Sequence, residues 1–355
     1  MKTNFNDLDF FLLNFCKDNI NLIEVNKLTE SKENSNLQFC ILPYINGAIK
    51  KPTPTFFNVP SSQKINVSDI KINENTPLNL KAKTTKTDYI KKVNALKKHI
   101  KQGNIYEINY CIDFFADDVE IDPLSVFIKL KQITKAPYCK LVKLANDFII
   151  SASPELFLKK EGNTLYTKPI KGTIKRGTSE KEDDQLKQKL QNNIKERTEN
   201  VMAVDVARND LSIIAKKGTV TVNKLYNIES FETLHQMVST VSCELKENSN
   251  FQDIVNATFP MASMTGAPKH MAMKLINEFE NFERNYYSGA MGLIFENGDF
   301  ELSVIIRSIF YNQKTKRLSI AVGSAITHLC DAEKEYEECL LKANALLKAL
   351  NAIIL

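Results

Sequence analysis

Lys171 is the residue whose neighbours in the sequence best suit covalent chemistry. It lies within residues 169–173, which spell Pro-Ile-Lys-Gly-Thr. Pro169 fixes its own backbone and pushes the preceding residue towards extended geometry, and Gly172 permits a sharp turn directly after the lysine. A lysine held in this way could act as a nucleophile if burial or a neighbouring cation removed its proton. An ordinary surface turn remains the alternative, because a single short motif often matches by chance.

Two acidic pairs could together bind a divalent cation. Glu196 and Glu199 are three residues apart in one predicted helix, and Glu335 and Glu338 are three residues apart in another. Residues at this spacing share one helix face, where like charges repel. If the two faces met, their oxygens would suit Mg²⁺, and otherwise each is a solvated helix face. Lys342 lies one turn beyond Glu338 and would favour an anionic ligand.

A second feature predicts an anion site at residues 265–269, which spell Thr-Gly-Ala-Pro-Lys before an amphipathic helix. Proline at the first helical position leaves the next N–H groups free, and Gly266 lets a ligand approach the backbone. A simple helix start is the alternative, and the phosphate-binding pattern GxxxxGK[ST] is absent. Arg307 lies in an apolar run, so a buried guanidinium there would need a partner such as a carboxylate.

The apolar spacing predicts the elements that must position these residues. Strands come in antiparallel-looking pairs rather than in strict βαβ alternation, which favours an α+β fold. Thr87 or Asp88 is the expected cap of the first helix, and Gly103 its expected end. Helices are expected at about residues 87–103, 180–206, 251–258, 268–279 and 332–350. Strands are expected at 105–115, 138–144, 148–152, 155–159, 219–225, 288–296, 300–311 and 317–322.

Composition excludes several classes of protein. The 355 residues allow one large or two ordinary domains, and 43% hydrophobic with 25% charged residues is usual for a globular chain. A net charge of +5 is too weak and dispersed to indicate nucleic acid. No apolar run reaches the roughly 18 residues of a membrane span, and no signal peptide is visible. The seven scattered cysteines predict free thiols in a reducing, cytoplasmic setting, and none resembles a glutaminase nucleophile.

The chain resembles the chorismate-utilising enzymes from about Thr87 to Leu350. The Pro-Ile-Lys-Gly-Thr motif is one of several segments that occur together in the order and approximate spacing of that family. The others are residues 103–109 (GNIYEIN), 153–155 (SPE), 199–210 (ENVMAVDVARND), 265–269 (TGAPK), 306–307 (IR) and 335–338 (EYEE). Each segment alone is weak evidence, whereas the combination is specific.

Within that family, the lysine-containing motif resembles the aminodeoxychorismate synthase component I branch, the aminating subunit of p-aminobenzoate synthesis. Anthranilate synthases usually carry alanine where Lys171 stands, and isochorismate and salicylate synthases use a lysine at the position of Glu107. Gln236 replaces a histidine that anthranilate-type members use to complete pyruvate elimination, so the product is expected to keep its enolpyruvyl group. His235, next to it, is interpreted as structural.

The resemblance implies a role for each site residue. Lys171 attacks ring carbon C2 of chorismate while Glu155 protonates the leaving C4 hydroxyl, and ammonia then adds at C4 and expels the lysine. Because an acid must begin protonated, we predict a raised pKa for Glu155. The implied Mg²⁺ ligands are Glu199 and Glu338, with Glu196 and Glu335 in support. The implied substrate contacts are Thr265, Gly266, Ala267, Tyr287, Arg307, Gly323, Ser324 and Lys342.

The resemblance also implies an α+β fold of two large packed antiparallel sheets with outer helices. Residues 1–86 are expected to complete those sheets, and residues 87–355 to form the chorismate-binding catalytic domain. Ammonia is expected from a separate glutamine amidotransferase, and a separate aminodeoxychorismate lyase would finish p-aminobenzoate for folate. No nucleic acid or membrane partner is expected. The alternatives are anthranilate synthase component I and a non-catalytic relative that only binds a partner.

Overall fold

The structure is a computed structural model that describes residues 10–16, 19–27, 37–44, 53–67, 70–232 and 234–355. Within these ranges the chain forms seven α-helices and nineteen strands. The helices are α1 (Lys86–Lys101), α2 (Pro123–Thr134), α3 (Glu180–Gln191), α4 (Ile194–Ile214), α5 (Phe251–Thr258), α6 (Lys269–Phe279) and α7 (Ala332–Leu350). None of these helices is both long and apolar enough to cross a bilayer.

The nineteen strands extend along the whole described part of the chain. The earlier ones are β1 (Phe10–Cys16), β2 (Asn19–Lys27), β3 (Gln38–Leu42), β4 (Thr55–Asn66), β5 (Leu78–Ala82), β6 (Glu107–Ala116), β7 (Tyr138–Leu144), β8 (Asp147–Ser153), β9 (Leu156–Glu161) and β10 (Thr164–Thr167). The later ones are β11 (Ile170–Lys175), β12 (Thr221–Ser230), β13 (Leu234–Glu244), β14 (Gly266–Ala267), β15 (Ala290–Ile294), β16 (Phe300–Val304), β17 (Ser308–Asn312), β18 (Arg317–Ile326) and β19 (Ala352–Ile354).

Strand pairing builds two large antiparallel sheets. The first follows the order β6–β18–β17–β8–β7–β1–β2. The second follows the order β3–β15–β16–β9–β10–β13–β12. Strand β4 joins them, because it pairs with β2 along one part and with β3 along the other. At the edges, β5 and β14 pair with β6, β11 pairs with β13, and β19 runs parallel to β5.

The two sheets pack face to face, with helices on their outer faces. Alternate residues of each strand divide between the two faces of its sheet, as the period of two requires. Along β7, Val142 and Leu144 lie in the core between the sheets, whereas Cys139 and Leu141 pack in the core that also contains residues of α1, α2, α6 and α7. Helices α4 and α5 pack against the second sheet. This architecture confirms the predicted α+β fold.

Several predicted boundaries were wrong for identifiable local reasons. The helix expected at residues 180–206 is two helices, because the Asn193 side chain accepts from the Glu196 backbone N–H and begins α4. The strand expected at residues 300–311 is divided into β16 and β17. The first helix is capped by Thr85 rather than by Thr87 or Asp88. Helix α2 was missed, although Asp122 and Pro123 form its start.

Candidate active site

Two links between the sheets place the first pair of predicted site residues side by side. Glu155 lies where the chain passes from β8 in the first sheet to β9 in the second, and Arg307 lies where it returns from β16 to β17. The Glu155 carbonyl accepts from the Val304 N–H at 3.1 Å, and the Arg307 carbonyl accepts from the Ala152 N–H at 3.1 Å. Arg307 has a φ of 51°, an uncommon value for a residue with a side chain. A strained arginine at a crossover is typical of a functional site.

Lys171 lies in an irregular part of β11. Ile170 pairs with Val238 and Thr173 with Gln236, so the strand carries an extra residue between these pairs. Such a bulge re-aims a side chain. The Lys171 ammonium forms an ion pair with the Glu107 carboxylate at the start of β6, and only 10% and 5% of the two side chains are exposed. The bulge therefore connects the outer edges of the two sheets through a buried ion pair.

Three carboxylates surround Lys171 and determine its charge. Burial lowers the pKa of this lysine, but Glu107, Glu199 and Glu155 raise it by more, so the net shift is upward. The Lys171 side chain is therefore an ammonium in this environment. Burial alone does not produce the neutral amine that a nucleophile requires. The amine must lose its proton when the site is loaded.

Glu155 has the environment of a general acid. Its side chain is buried, with 6% exposed, and accepts a hydrogen bond of 2.7 Å from the Ser263 hydroxyl. Burial raises the pKa of Glu155 from 4.5 to about 7, while Ser263, Lys171 and Arg307 oppose the shift. The raised pKa predicted from the sequence is confirmed, and it allows Glu155 to hold a proton closer to neutral pH than an exposed glutamate does.

The two acidic pairs meet between α4 and α7, and a lysine lies between them. Lys195 Nζ is 2.9 Å from Glu335 Oε1, 3.7 Å from Glu199 Oε1 and 3.8 Å from Glu338 Oε2. Glu196 lies nearby, beside Gly172, and burial raises its pKa. Burial lowers the pKa of Lys195, yet the neighbouring carboxylates raise it by more. Sequence reasoning missed Lys195, although its position four residues before Glu199 is a recognised ion-pair spacing.

The chemistry of this acidic cluster fits a hard divalent cation. Glu199 Oε1 and Glu335 Oε2 are buried and have no hydrogen-bond partner within the part of the chain that the structure describes. An unpaired buried carboxylate oxygen is costly unless a cation binds it. Burial raises the pKa of Glu199 to about 7. Among the described residues, no three carboxylate, histidine or cysteine side chains already stand at the separations of a metal site. The ligand types therefore suit Mg²⁺, and the side chains would have to close in to bind it.

Arg307 and Lys342 supply positive charge to the same region. The Arg307 guanidinium makes no hydrogen bond or ion pair with the residues that the structure describes. Burial lowers the pKa of Arg307, and Tyr287, Glu338 and Glu155 only partly oppose that shift. Lys342 contacts Glu338 Oε1 at 2.7 Å and the Gly323 carbonyl at 2.8 Å. An unpaired guanidinium beside a crossover can bind a carboxylate of a ligand.

The predicted anion-binding segment is built differently from a free helix start. Gly266 and Ala267 form β14 and pair with Ile108 and Glu107 of β6, and Pro268 precedes α6. The Thr265 hydroxyl is buried and donates to the Met261 carbonyl. This segment therefore contributes backbone only, and it fixes the strand that carries Glu107.

Three further predicted contact residues, Tyr287, Gly323 and Ser324, are buried within the protein. The Ser324 hydroxyl is hydrogen-bonded to the Tyr89 hydroxyl at 2.8 Å in the core. Gly323 leaves no room for a side chain, since an added Cβ would lie 2.5 Å from Cys111 Sγ and 2.6 Å from Asn109 Oδ1. Tyr287 is buried, and Cys111 Sγ lies 3.9 Å from its hydroxyl. Only the backbone of residues 323 and 324 remains for a ligand.

His235 and Gln236 have different environments on β13. Both ring nitrogens of His235 are hydrogen-bonded, to Asp183 and to Ser230, each at 2.9 Å. Asp183 also binds Arg176, so the histidine belongs to a structural network that anchors α3. Gln236 is buried, and its Oε1 has no hydrogen-bond partner. These contacts agree with the structural interpretation of His235.

The sequence and the fold of this chain both match those of known proteins. Residues 54–348 match the family described as chorismate binding enzyme. The chain belongs to this family. The match begins before Thr87, where the motif resemblance starts, so it includes β4 and β5.

Individual relatives extend the comparison. Aminodeoxychorismate synthase, chloroplastic, of Arabidopsis thaliana is 38% identical over 264 residues, which are 74% of this chain and 28% of that protein. Aminodeoxychorismate synthase component 1 of Escherichia coli (strain K12) is 34% identical over 266 residues, 75% of this chain and 58% of that protein. The solved structure of anthranilate synthase component I from Streptococcus pneumoniae TIGR4 has a TM-score of 0.75 at 21% identity, over 96% of this chain and 92% of that one. The last match shows a shared fold. The chain spans less than two thirds of the length of both sequence relatives.

Proposed function

We propose that this protein converts chorismate and ammonia to 4-amino-4-deoxychorismate. The observation that carries the proposal is the position of Lys171, buried against Glu107 and influenced by Glu155 and Glu199. A simple binding protein has no need of a buried amine beside a carboxyl whose pKa is about 7. The names of the aminodeoxychorismate synthase relatives support the same activity.

Lys171 would act as a covalent nucleophile. Its neutral amine attacks C2 of the ring, both ring double bonds shift by one position towards C4, and the C4 hydroxyl leaves as water with the proton of Glu155. Ammonia then attacks C4, both double bonds shift back, and the bond between C2 and the lysine nitrogen breaks. Two easier displacements replace one difficult displacement. Glu107, which contacts the ammonium, is the nearest group able to take the lysine proton before attack.

Mg²⁺ would be held by Glu199 and Glu338, with Glu196 and Glu335 in support. The buried oxygens of Glu199 and Glu335 that lack partners support this assignment. When bound, a divalent cation would neutralise carboxylate charge and attract the carboxylates of chorismate. Arg307 would pair with a substrate carboxylate. Lys342, Tyr287 and the backbone of residues 265–267 and 323–324 would complete the pocket.

Ammonia would come from a separate glutamine amidotransferase. The name component 1 of the Escherichia coli relative supports a two-part enzyme. A separate aminodeoxychorismate lyase would then release p-aminobenzoate for folate synthesis. The six free cysteines of the described residues support work in a reducing compartment, as the cytoplasm is.

Anthranilate synthase component I is the second candidate, because other relatives carry that name. Its chemistry would use ammonia at a different ring carbon and eliminate pyruvate. Lys171 favours amination at C4, and Gln236, whose amide does not gain or lose a proton near neutral pH as a histidine does, does not favour pyruvate elimination.

Product identification distinguishes these candidates. The purified chain is incubated with chorismate, Mg²⁺ and an ammonium salt at alkaline pH, where free ammonia is abundant. We expect a product that yields p-aminobenzoate only after a lyase is added. Anthranilate would contradict the proposal in favour of the second candidate, and no conversion would favour a non-catalytic role.

Lys171→Ala provides the matching test of the nucleophile. We expect ammonia-dependent turnover to fall by at least about 100-fold, because the covalent route is lost. Lys187→Ala, which removes a half-buried lysine of α3 that pairs with Asp183 and Asp184, is the control. Unchanged turnover in Lys171→Ala would exclude the proposed role.

A further inference from the structure

Lys195 occupies the centre of the acidic cluster, a position that the proposed reaction does not explain. It is the second residue of α4, and its ammonium reaches across to α7. Its nitrogen lies within 3.8 Å of three separate carboxylates, those of Glu199, Glu335 and Glu338. A surface lysine with one helical partner would need only the contact to Glu199. Contacts from two helices make Lys195 the counter-ion of the whole cluster.

The distances fit an ammonium better than a metal ion. An N⁺–H···O⁻ contact is about 2.7–2.9 Å long, and the 2.9 Å contact to Glu335 belongs to this class. Mg²⁺ binds its oxygens at about 2.0–2.1 Å. The carboxylates are therefore spread around a larger, singly charged group. Glu199 Oε1 and Glu335 Oε2 nevertheless remain without hydrogen-bond partners, so one ammonium does not satisfy the cluster.

We propose that the Lys195 ammonium holds the place of the divalent cation in the metal-free protein and must move out before Mg²⁺ binds. Two cations that share the same three carboxylates repel each other, and the divalent ion wins only by displacing the lysine. The Lys195 side chain is 44% exposed, so it has an open path to solvent on a flexible stem. The exchange depends on the Mg²⁺ assignment of the proposed function but not on amination.

This exchange has two consequences. Lys195 keeps α4 and α7 together when no metal is present, because it neutralises carboxylates that would otherwise repel. It also weakens Mg²⁺ binding, since each binding event must break the contacts to Glu199, Glu335 and Glu338. Lys342 competes for a single ligand, because among the described residues the one carboxylate that it contacts is that of Glu338.

The first test uses the unaltered protein. Lysines are acetylated briefly with a small anhydride, with and without MgCl₂ and without chorismate, and the modified sites are quantified by mass spectrometry. We expect Mg²⁺ to increase the acetylation of Lys195 at least about threefold, because the amine is released to solvent. The acetylation of Lys187 is the internal control. Unchanged or reduced labelling of Lys195 would overturn the proposal.

The second test compares Mg²⁺ affinity by calorimetric titration. Lys195→Met keeps the length and apolar stem but removes the charge, and we expect Mg²⁺ to bind at least about tenfold more tightly. Lys195→Arg retains a competing cation and should remain within about threefold of the parent protein. Lys187→Met is the control for loss of one positive charge. Equal or weaker Mg²⁺ binding by Lys195→Met, or no Mg²⁺ binding by any variant, would overturn the proposal.

Metal-free thermal stability gives a third readout. Lys195→Met should melt at a lower temperature than the parent without Mg²⁺, and added Mg²⁺ should raise its melting temperature by more than it raises that of the parent. If Lys195→Met does not fold without metal, the labelling test on the unaltered protein decides alone. None of these measurements requires turnover. The exchange of Lys195 for Mg²⁺ can therefore be supported even if the proposed amination is wrong, and it can be overturned even if the amination is right.

Discussion

At the scale of single residues, the surroundings raise the pKa of two groups in the candidate site. The rise suits the proposed acid, Glu155, and opposes the proposed nucleophile, Lys171. Burial keeps Glu155 protonated to an unusually high pH, which suits an acid. Neighbouring carboxylates raise the pKa of Lys171, and a protonated amine has no lone pair with which to attack. Glu199, which we propose as a cation ligand, is also one of the carboxylates that raise the pKa of Lys171. We propose that Lys171 becomes reactive when a cation or the substrate enters the cluster and offsets these carboxylates.

Replacing Glu155 tests the origin of its raised pKa. A carboxyl with a folded pKa of about 7, above the usual 4.5, stabilises the fold fully at low pH and loses that contribution as pH rises from about 4.5 to about 7. Glu155→Gln keeps the acceptor for Ser263 and cannot ionise. We therefore expect the stability of Glu155→Gln relative to the parent to rise by about 3 kcal/mol over that range and then stay level. Urea unfolding at a series of pH values measures it, and a pH-independent difference would contradict burial as the cause.

Removing the Glu107 charge tests what holds Lys171 protonated. Glu107→Gln deletes the carboxylate in contact with the ammonium, so the pKa of Lys171 should fall by about 1–3 units. The rate of Lys171 acetylation at pH 8, measured by mass spectrometry, should then rise at least about tenfold. Glu229→Gln, which removes a carboxylate 3.4 Å from Lys168, is the control. An unchanged rate would assign the raised pKa to Glu199 and Glu155 instead.

At the scale of elements, short irregular segments position the site more than the long regular ones do. The crossover links carry Glu155 and Arg307, and a bulge carries Lys171. The two-residue strand β14 lies against β6 so closely that Gly266 has a φ of 146° and no space for a side chain. A long helix contributes Glu196 and Glu199, but the break before it, capped by Asn193, sets where those residues point.

Gly266→Ala tests the close approach of β14 and β6. An added Cβ would lie 2.2 Å from the Glu107 carbonyl oxygen, and the backbone angle is unfavourable for any side chain. We expect a loss of at least about 3 kcal/mol in the free energy of unfolding, together with impaired chorismate binding, because Glu107 moves. Gly218→Ala, with a φ of 80° and no atom within 4 Å, isolates the backbone effect and should lose only about 1 kcal/mol. Equal losses in both variants would show that crowding is unimportant.

At the scale of the whole molecule, the candidate site and the interface between the sheets both depend on how the two sheets are joined and packed. We propose that residues 1–86 complete one catalytic body with residues 87–355, since β4 pairs with strands of both sheets. The interface between the sheets is largely apolar but contains Lys140 of β7, which donates to Ser303 of β16 at 3.0 Å. Burial lowers the pKa of Lys140 from 10.5 to about 8. This lysine is a polar contact across the interface rather than part of the site.

Lys140→Met tests the energetic effect of that buried amine. A lysine with a lowered folded pKa destabilises the fold fully below about pH 8, and the penalty fades as pH rises towards 10.5. We expect Lys140→Met to gain about 1–3 kcal/mol at pH 7 and to lose this advantage by pH 10.5. Ser303 still donates to the Met291 carbonyl. Lys314→Met, at an exposed position, is the control. A gain that does not depend on pH would attribute the effect to packing.

Local sequence was sufficient for much of this molecule. Helix α7 and strand β7 are both visible in the local pattern of apolar residues, and both were predicted with their observed bounds. The motif around Lys171 and the paired glutamates identified the candidate site residues. Caps and breaks such as Asn193 were missed, because a polar residue inside a helical pattern is compatible with both a helix surface and a helix start.

Only the tertiary structure decided the state of those residues. Lys195 and Glu335 are 140 positions apart, and no periodicity indicates that one lies against the other. The protonation of Lys171 depends on carboxylates from β6, α4 and the β8–β9 link, and that of Glu155 depends on burial between the sheets. Charge and desolvation act through space rather than along the chain. The sequence can therefore identify candidate site residues, but their pKa values and partners follow only from the assembled sheets.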